Sequence, residues 1–98
     1  EEQFGPILPV LKFSSDDDVV RRANATTMGL GGSVWSSSAE RARDIAMRLD
    51  AGTVWINQHG RLDPEVPFGG LKQSGIGREL GREGLDAFTQ VKVISQRL

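Results

Sequence analysis

With 98 residues, 38% hydrophobic and 26% charged, and a net charge of -1, the chain has the balance of a folded globular protein, and nothing in it suggests a nucleic-acid or membrane surface. It contains no cysteine, which excludes disulfides, thiolate metal sites and a cysteine nucleophile within these residues. A chain this short hides only about 60 to 65% of its unfolded surface, so it is expected to lean on a partner chain or on further sequence.

No apolar run approaches the roughly 18 residues of a membrane span. The start, Glu1-Glu2-Gln3, lacks the basic residues and apolar body of a signal peptide, which makes a cytoplasmic setting the default expectation. These first residues read as the interior of a motif, so the chain is expected to be a segment of a longer one.

Glu2-Gln3-Phe4-Gly5-Pro6 places an acid and an aromatic before a Gly-Pro turn signal. The nearly continuous apolar run of residues 7–13 then predicts a strand covered on both faces, with Pro9 at an edge or an irregularity. On residue type alone Glu2 is a solvated carboxylate and Phe4 a core side chain.

Ser15 and Asp18 have capping-box spacing, and the acids at 16–18 suit the positive end of a helix dipole. Val19, Val20 and Ala23 give this helix a buried face, and Met28-Gly29 is the expected stop. Residues 31–36 predict a short strand whose glycines admit a close neighbour. Ser37 and Glu40 form a second capping box, before Ala42, Ile45, Ala46 and Leu49 at helical spacing. Asp44 and Arg48 add an i,i+4 pair, and Gly52 is the expected close. Residues 53–57 are β-branched and aromatic and predict a strand ending at Asn57. Strands joined through helices give an α/β class, an open sheet flanked by helices with parallel pairing.

A polar loop over residues 58–66 leads into Pro67-Phe68-Gly69-Gly70-Leu71-Lys72-Gln73-Ser74-Gly75-Ile76-Gly77-Arg78-Glu79. Four glycines among bulky apolar anchors and a charged pair describe a shaped loop and not a flexible linker, running into a helix expected to begin near Arg78. Composition alone favours a core-covering connection without chemistry. The dinucleotide fingerprint fails because Leu80 stands where its third glycine belongs and no predicted strand immediately precedes Gly75. The P-loop fails because Lys72 is followed by Gln73. His59 is the only histidine, so it cannot build a metal site with other His or Cys and reads as a packing or solvated side chain. Leu80, Gly81, Gly84, Leu85 and Phe88 predict a helix that lets a neighbour approach, and residues 90–98 predict a terminal strand that needs something to pair with.

Taken together, the first six residues, Gly52-Thr53-Val54-Trp55-Ile56-Asn57 and the glycine-rich stretch resemble the C-terminal part of the NAD(P)-dependent aldehyde dehydrogenase superfamily. The resemblance covers essentially the whole chain. It implies the last part of a catalytic domain over residues 1–89 and an oligomerisation strand over residues 90–98. In that family a cysteine thiolate attacks the aldehyde, a hydride passes to NAD or NADP, and water activated by a glutamate releases the acid. Both of those residues belong to sequence preceding the E-x-F-G-P motif, so this chain alone is expected to be inactive. Its implied duties are binding ones. Glu2 would accept hydrogen bonds from the nicotinamide ribose hydroxyls and Phe4 would pack on the nicotinamide side. Asn57, Leu62 and Phe68 would wall the aldehyde tunnel. Arg78 and Glu79 would support the site and subunit contacts in a homodimer or homotetramer, Arg78 meeting Gln90 where the family often has an acid. The alternative is a free-standing structural or interaction module that keeps the fold without catalysis.

Overall fold

The computed structural model describes residues 3–98, and its elements run α1 (Asp16–Asn24), β1 (Met28–Gly29), β2 (Gly31–Val34), α2 (Ala39–Arg48), β3 (Thr53–Ile56), β4 (Leu71–Lys72) and α3 (Gly81–Asp86). The α/β class holds, with β2 and β3 parallel in the register Gly31 to Thr53 through Val34 to Ile56. α2 supplies the crossover that a parallel pair requires. A second, antiparallel pair joins β1 to β4, Met28 opposite Lys72 and Gly29 opposite Leu71. These two-residue strands are too short to leave a periodic signal in the sequence.

Each long helix starts on a serine. Ser15 accepts from the Asp18 amide at 3.2 Å, as its spacing predicts. At α2 the cap is Ser38, accepting from Arg41 N–H at 3.3 Å, one residue after the expected Ser37. The Asp44–Arg48 pair forms at 3.2 Å. The helices are laced together by Arg41 on Asp16, with Nε–Oδ2 2.9 Å and Nη2–Oδ1 2.5 Å, and by Arg48 on Asp17. Both helices stop before the glycines expected to end them, α1 at Asn24 and α2 at Arg48. Gly29 and Gly52 serve close packing instead. A Cβ on Gly29 would meet the Asp50 carbonyl oxygen at 2.7 Å, and one on Gly52 would meet the Gly69 carbonyl oxygen at 1.6 Å.

Three expected elements differ. The last helix begins at Gly81 and not near Arg78, because Glu79 is held in an extended bridge to Phe68 and Leu80 and Gly81 take left-handed φ values of 60° and 58°. Residues 7–13 and 90–98 form no strand among the described residues. Both are exposed along their length, and a ladder cannot exist without a second strand to receive its hydrogen bonds.

The buried apolar side chains are Val20, Ala42, Ile45 and Trp55, from α1, α2 and β3. This is a thin core for 98 residues, and the radius of gyration of 18.1 Å exceeds the roughly 13 Å of a compact domain of that length. Phe4, Leu8, Val10, Phe88, Val91 and Val93 are each more than four-fifths exposed. So much bare apolar surface at both ends suits burial against other protein. No helix among the described residues is long and apolar enough to cross a membrane.

Candidate functional site

The glycine-rich stretch is closed into a rigid loop by its own ends. Phe68 and Glu79 exchange backbone hydrogen bonds, both at 2.7 Å. The half-buried Arg78 donates through Nη1 to the carbonyls of Gly70 at 2.8 Å and Gly77 at 2.9 Å. A guanidinium fork suits this strap, since its several donors lie in one plane. On its far side the loop is docked on β1 and the turn before it. Ser74 Oγ accepts from Gly29 N–H at 2.8 Å, and Gln73 N–H donates to Thr27 O at 2.9 Å. The absence of a Cβ on Gly52 lets the Gly69 carbonyl lie against the residue that leads into β3.

Docked this way, the loop presents Phe68 beside Thr53 and Trp55 of β3. Phe68, Leu62, Val66 and Trp55 line a depression of about 180 Å³ with Arg61 and Asp63 among its polar residues. The Trp55 indole N–H donates to the Arg61 carbonyl at 2.8 Å, fixing the loop over the buried ring. His59 packs edge-on against Trp55 at 5.1 Å between ring centroids, with Nδ1 3.2 Å from Ser33 Oγ.

The expected site residues thus fall into groups. Leu62 and Phe68 share the depression, and Phe68, Arg78 and Glu79 share the closed loop. Asn57 is not in the depression's lining. At φ 52° it turns the chain out of β3 while its amide holds Ser36 from both sides, accepting from Ser36 N–H at 2.9 Å and donating to Ser36 O at 3.0 Å. Phe4 is 97% exposed, and Glu2 lies outside the described residues. Gln90 is exposed, and no hydrogen bond joins it to Arg78 among the described residues. Trp55 and Arg61 line the depression without belonging to any expected site. Their pairing depends on how the loop folds back, which residue spacing does not encode.

The aldehyde dehydrogenase family model matches residues 1–94. The chain belongs to the aldehyde dehydrogenase family. It is 51% identical over 92 residues to betaine aldehyde dehydrogenase of Bacillus subtilis (strain 168), a match covering 94% of this chain and 19% of that protein. It is 45% identical over 98 residues to aldehyde dehydrogenase 1A1 of Oryctolagus cuniculus, covering 100% of this chain and 20% of that one. Among solved structures, betaine aldehyde dehydrogenase from Staphylococcus aureus in complex with NAD+ superposes with a TM-score of 0.87 and 44% identity, over 90% of this chain and 18% of that chain. The chain therefore spans about a fifth of the length of these curated aldehyde dehydrogenases.

Proposed function

We propose that this chain is the C-terminal portion of an NAD(P)-dependent aldehyde dehydrogenase that oxidises an aldehyde to a carboxylic acid. It supplies a cofactor contact, part of the substrate wall and an assembly strand. The observation that carries the reading is the family match over residues 1–94 combined with a TM-score of 0.87 to an NAD+-bound relative. The thin core and the bare apolar ends support it, since a segment built to pack inside a larger enzyme has such surfaces.

Each part of the chain has a task in this reading. The closed loop holds Phe68 rigidly beside Leu62, and the two make an apolar wall that keeps water from the reacting carbonyl. Asn57 sets the direction in which the loop leaves β3. Arg78 and Glu79 act through the backbone they hold, and Gln90 meets Arg78 only in the assembled enzyme. The residues present fit a minor share of a dinucleotide site: the bare ring of Phe4 suits an apolar contact, and the Glu2 carboxylate has two acceptor oxygens for ribose hydroxyls. The cofactor, when bound, supplies the hydride acceptor. No residue of this chain can serve as the thiol nucleophile.

The test is NAD or NADP reduction by the full-length polypeptide carrying this segment, with a panel of aldehydes, beside the 98-residue chain alone. Turnover is expected from the first and not from the second. A full-length protein that oxidises no aldehyde overturns the proposal. In the active protein Glu2→Gln is expected to weaken cofactor binding by about 1 to 3 kcal/mol, the worth of a charge-assisted hydrogen bond.

A further inference from the structure

Resting on the dehydrogenase reading, we infer that Arg61 selects the substrate, and that the favoured class is an aliphatic aldehyde bearing a carboxylate at the end remote from the reacting carbonyl. The depression of about 180 Å³ is large enough to receive the remote end of an aliphatic substrate. Its apolar walls are Trp55, Leu62, Val66 and Phe68, which suit an aliphatic chain. Its charged residues are Arg61 and Asp63.

The two charges are not equally available. Asp63 Oδ1 is turned back into its own loop, accepting from Glu65 N–H at 3.0 Å, while the Asp63 carbonyl accepts from Val66 N–H at 3.0 Å. Among the described residues no carboxylate lies within ion-pair distance of the Arg61 guanidinium. The main chain of Arg61 is nevertheless anchored, through its carbonyl, to the indole of Trp55. Arg61 lines the depression, is exposed and has no ion-pair partner among the described residues, so its guanidinium is available to a carboxylate, which it binds through two parallel hydrogen bonds. The same charge repels a quaternary ammonium group. A substrate that carries that cation, such as betaine aldehyde, is therefore disfavoured.

The experiment compares succinic semialdehyde, butanal and betaine aldehyde as substrates of the full-length enzyme and of its Arg61→Gln and Arg61→Lys variants. The wild type is expected to prefer the semialdehyde. Arg61→Gln is expected to lower kcat/KM for it about ten- to hundredfold, mostly through KM, while butanal changes less than about twofold. Arg61→Lys is expected to recover part of the loss, because the charge returns without the fork. Equal losses on semialdehyde and butanal, no loss on either, or a wild-type preference for betaine aldehyde overturns the inference and leaves the dehydrogenase reading standing. Failure to oxidise any of a wider aldehyde panel overturns both.

Discussion

Lys72 lies 48 residues from Asn24, yet its ammonium donates to the Asn24 carbonyl at 2.8 Å and to that of Thr26 at 3.2 Å. It also stands 3.4 Å from the Asp50 carboxylate. Asn24 in turn donates from its amide to the Arg48 carbonyl at 2.8 Å and accepts from Asp50 N–H at 2.9 Å. The carboxyl ends of α1 and α2 are thereby tied to one another and to the glycine-rich loop. A cation at a helix carboxyl end also meets the negative pole of the helix dipole.

Replacing Lys72 by Met keeps the aliphatic stem and removes every one of those donors. A loss of about 1 to 2 kcal/mol in the local stability of the loop is expected, the range for a hydrogen bond to a charged group at a half-exposed site. Lys72 sits at φ 55°, which Met tolerates no worse, so backbone strain does not change. Hydrogen exchange at the Gln73 and Gly29 amides, both bonded across the loop seam, reads this directly in the full-length protein. Unchanged exchange at both would contradict the latch.

Gly52→Ala should be far more damaging than its conservative appearance suggests. The new methyl would stand 1.6 Å from the Gly69 carbonyl oxygen and 2.7 Å from its carbon, backbone atoms that cannot rotate away. Separation requires the loop to move off β3, at a cost of about 3 kcal/mol, the upper part of the usual range for overpacking. Gly32→Ala within β2 is the control, since the methyl it would add meets only the Leu49 Cδ1 at 3.8 Å, an ordinary contact. Urea unfolding of the full-length protein should show a lowered midpoint for the first and an unchanged one for the second.

The Asp16–Arg41 contact carries a pH dependence. The hydrogen bond from Arg41 is the largest cause holding the Asp16 carboxyl below its ordinary value; partial desolvation opposes it, and the charges of Arg41 and Arg48 add to the lowering. A depressed folded value means the contribution to stability is present above the unfolded value, near pH 4, and is lost as pH falls through the folded value. In an NMR titration Asp16 should therefore titrate below the ordinary aspartate range. In Arg41→Gln it should return toward that range, and an unmoved midpoint would refute the assignment.

Legibility from sequence followed the range of the interactions involved. Ser15, the Asp44–Arg48 pair and the β3 residues act over three or four positions or by local propensity, and all form as their spacing predicts. The stops of α1 and α2 were displaced because Gly29 and Gly52 answer to tertiary neighbours, the Asp50 and Gly69 carbonyls, and not to helix ends. At the site, Phe68 and Leu62 line one depression, and Arg61 joins them through a backbone bond to Trp55 that no local pattern announces. The terminal segments, expected as strands from their composition, form none among the described residues, since strand propensity does not itself supply the second strand that a ladder needs.

The last expectation concerns residues 91–94. Val91 is 95% exposed, Val93 83% and Ile94 81%, an apolar stretch of high strand propensity whose backbone has no ladder among the described residues. Such an edge is a template for strand addition, and a neighbouring subunit is the acceptor we propose for it. Val93→Pro removes one amide donor and fixes φ, so it should shift the assembly toward monomer or toward disordered aggregate. Val93→Thr retains the donor and the β-branched shape and should stay assembled, which separates the backbone effect from loss of an apolar side chain. Light scattering on the wild type and both variants measures the outcome. A wild-type protein that remains monomeric at high concentration, or a proline variant that assembles as the wild type does, would exclude strand addition at this segment.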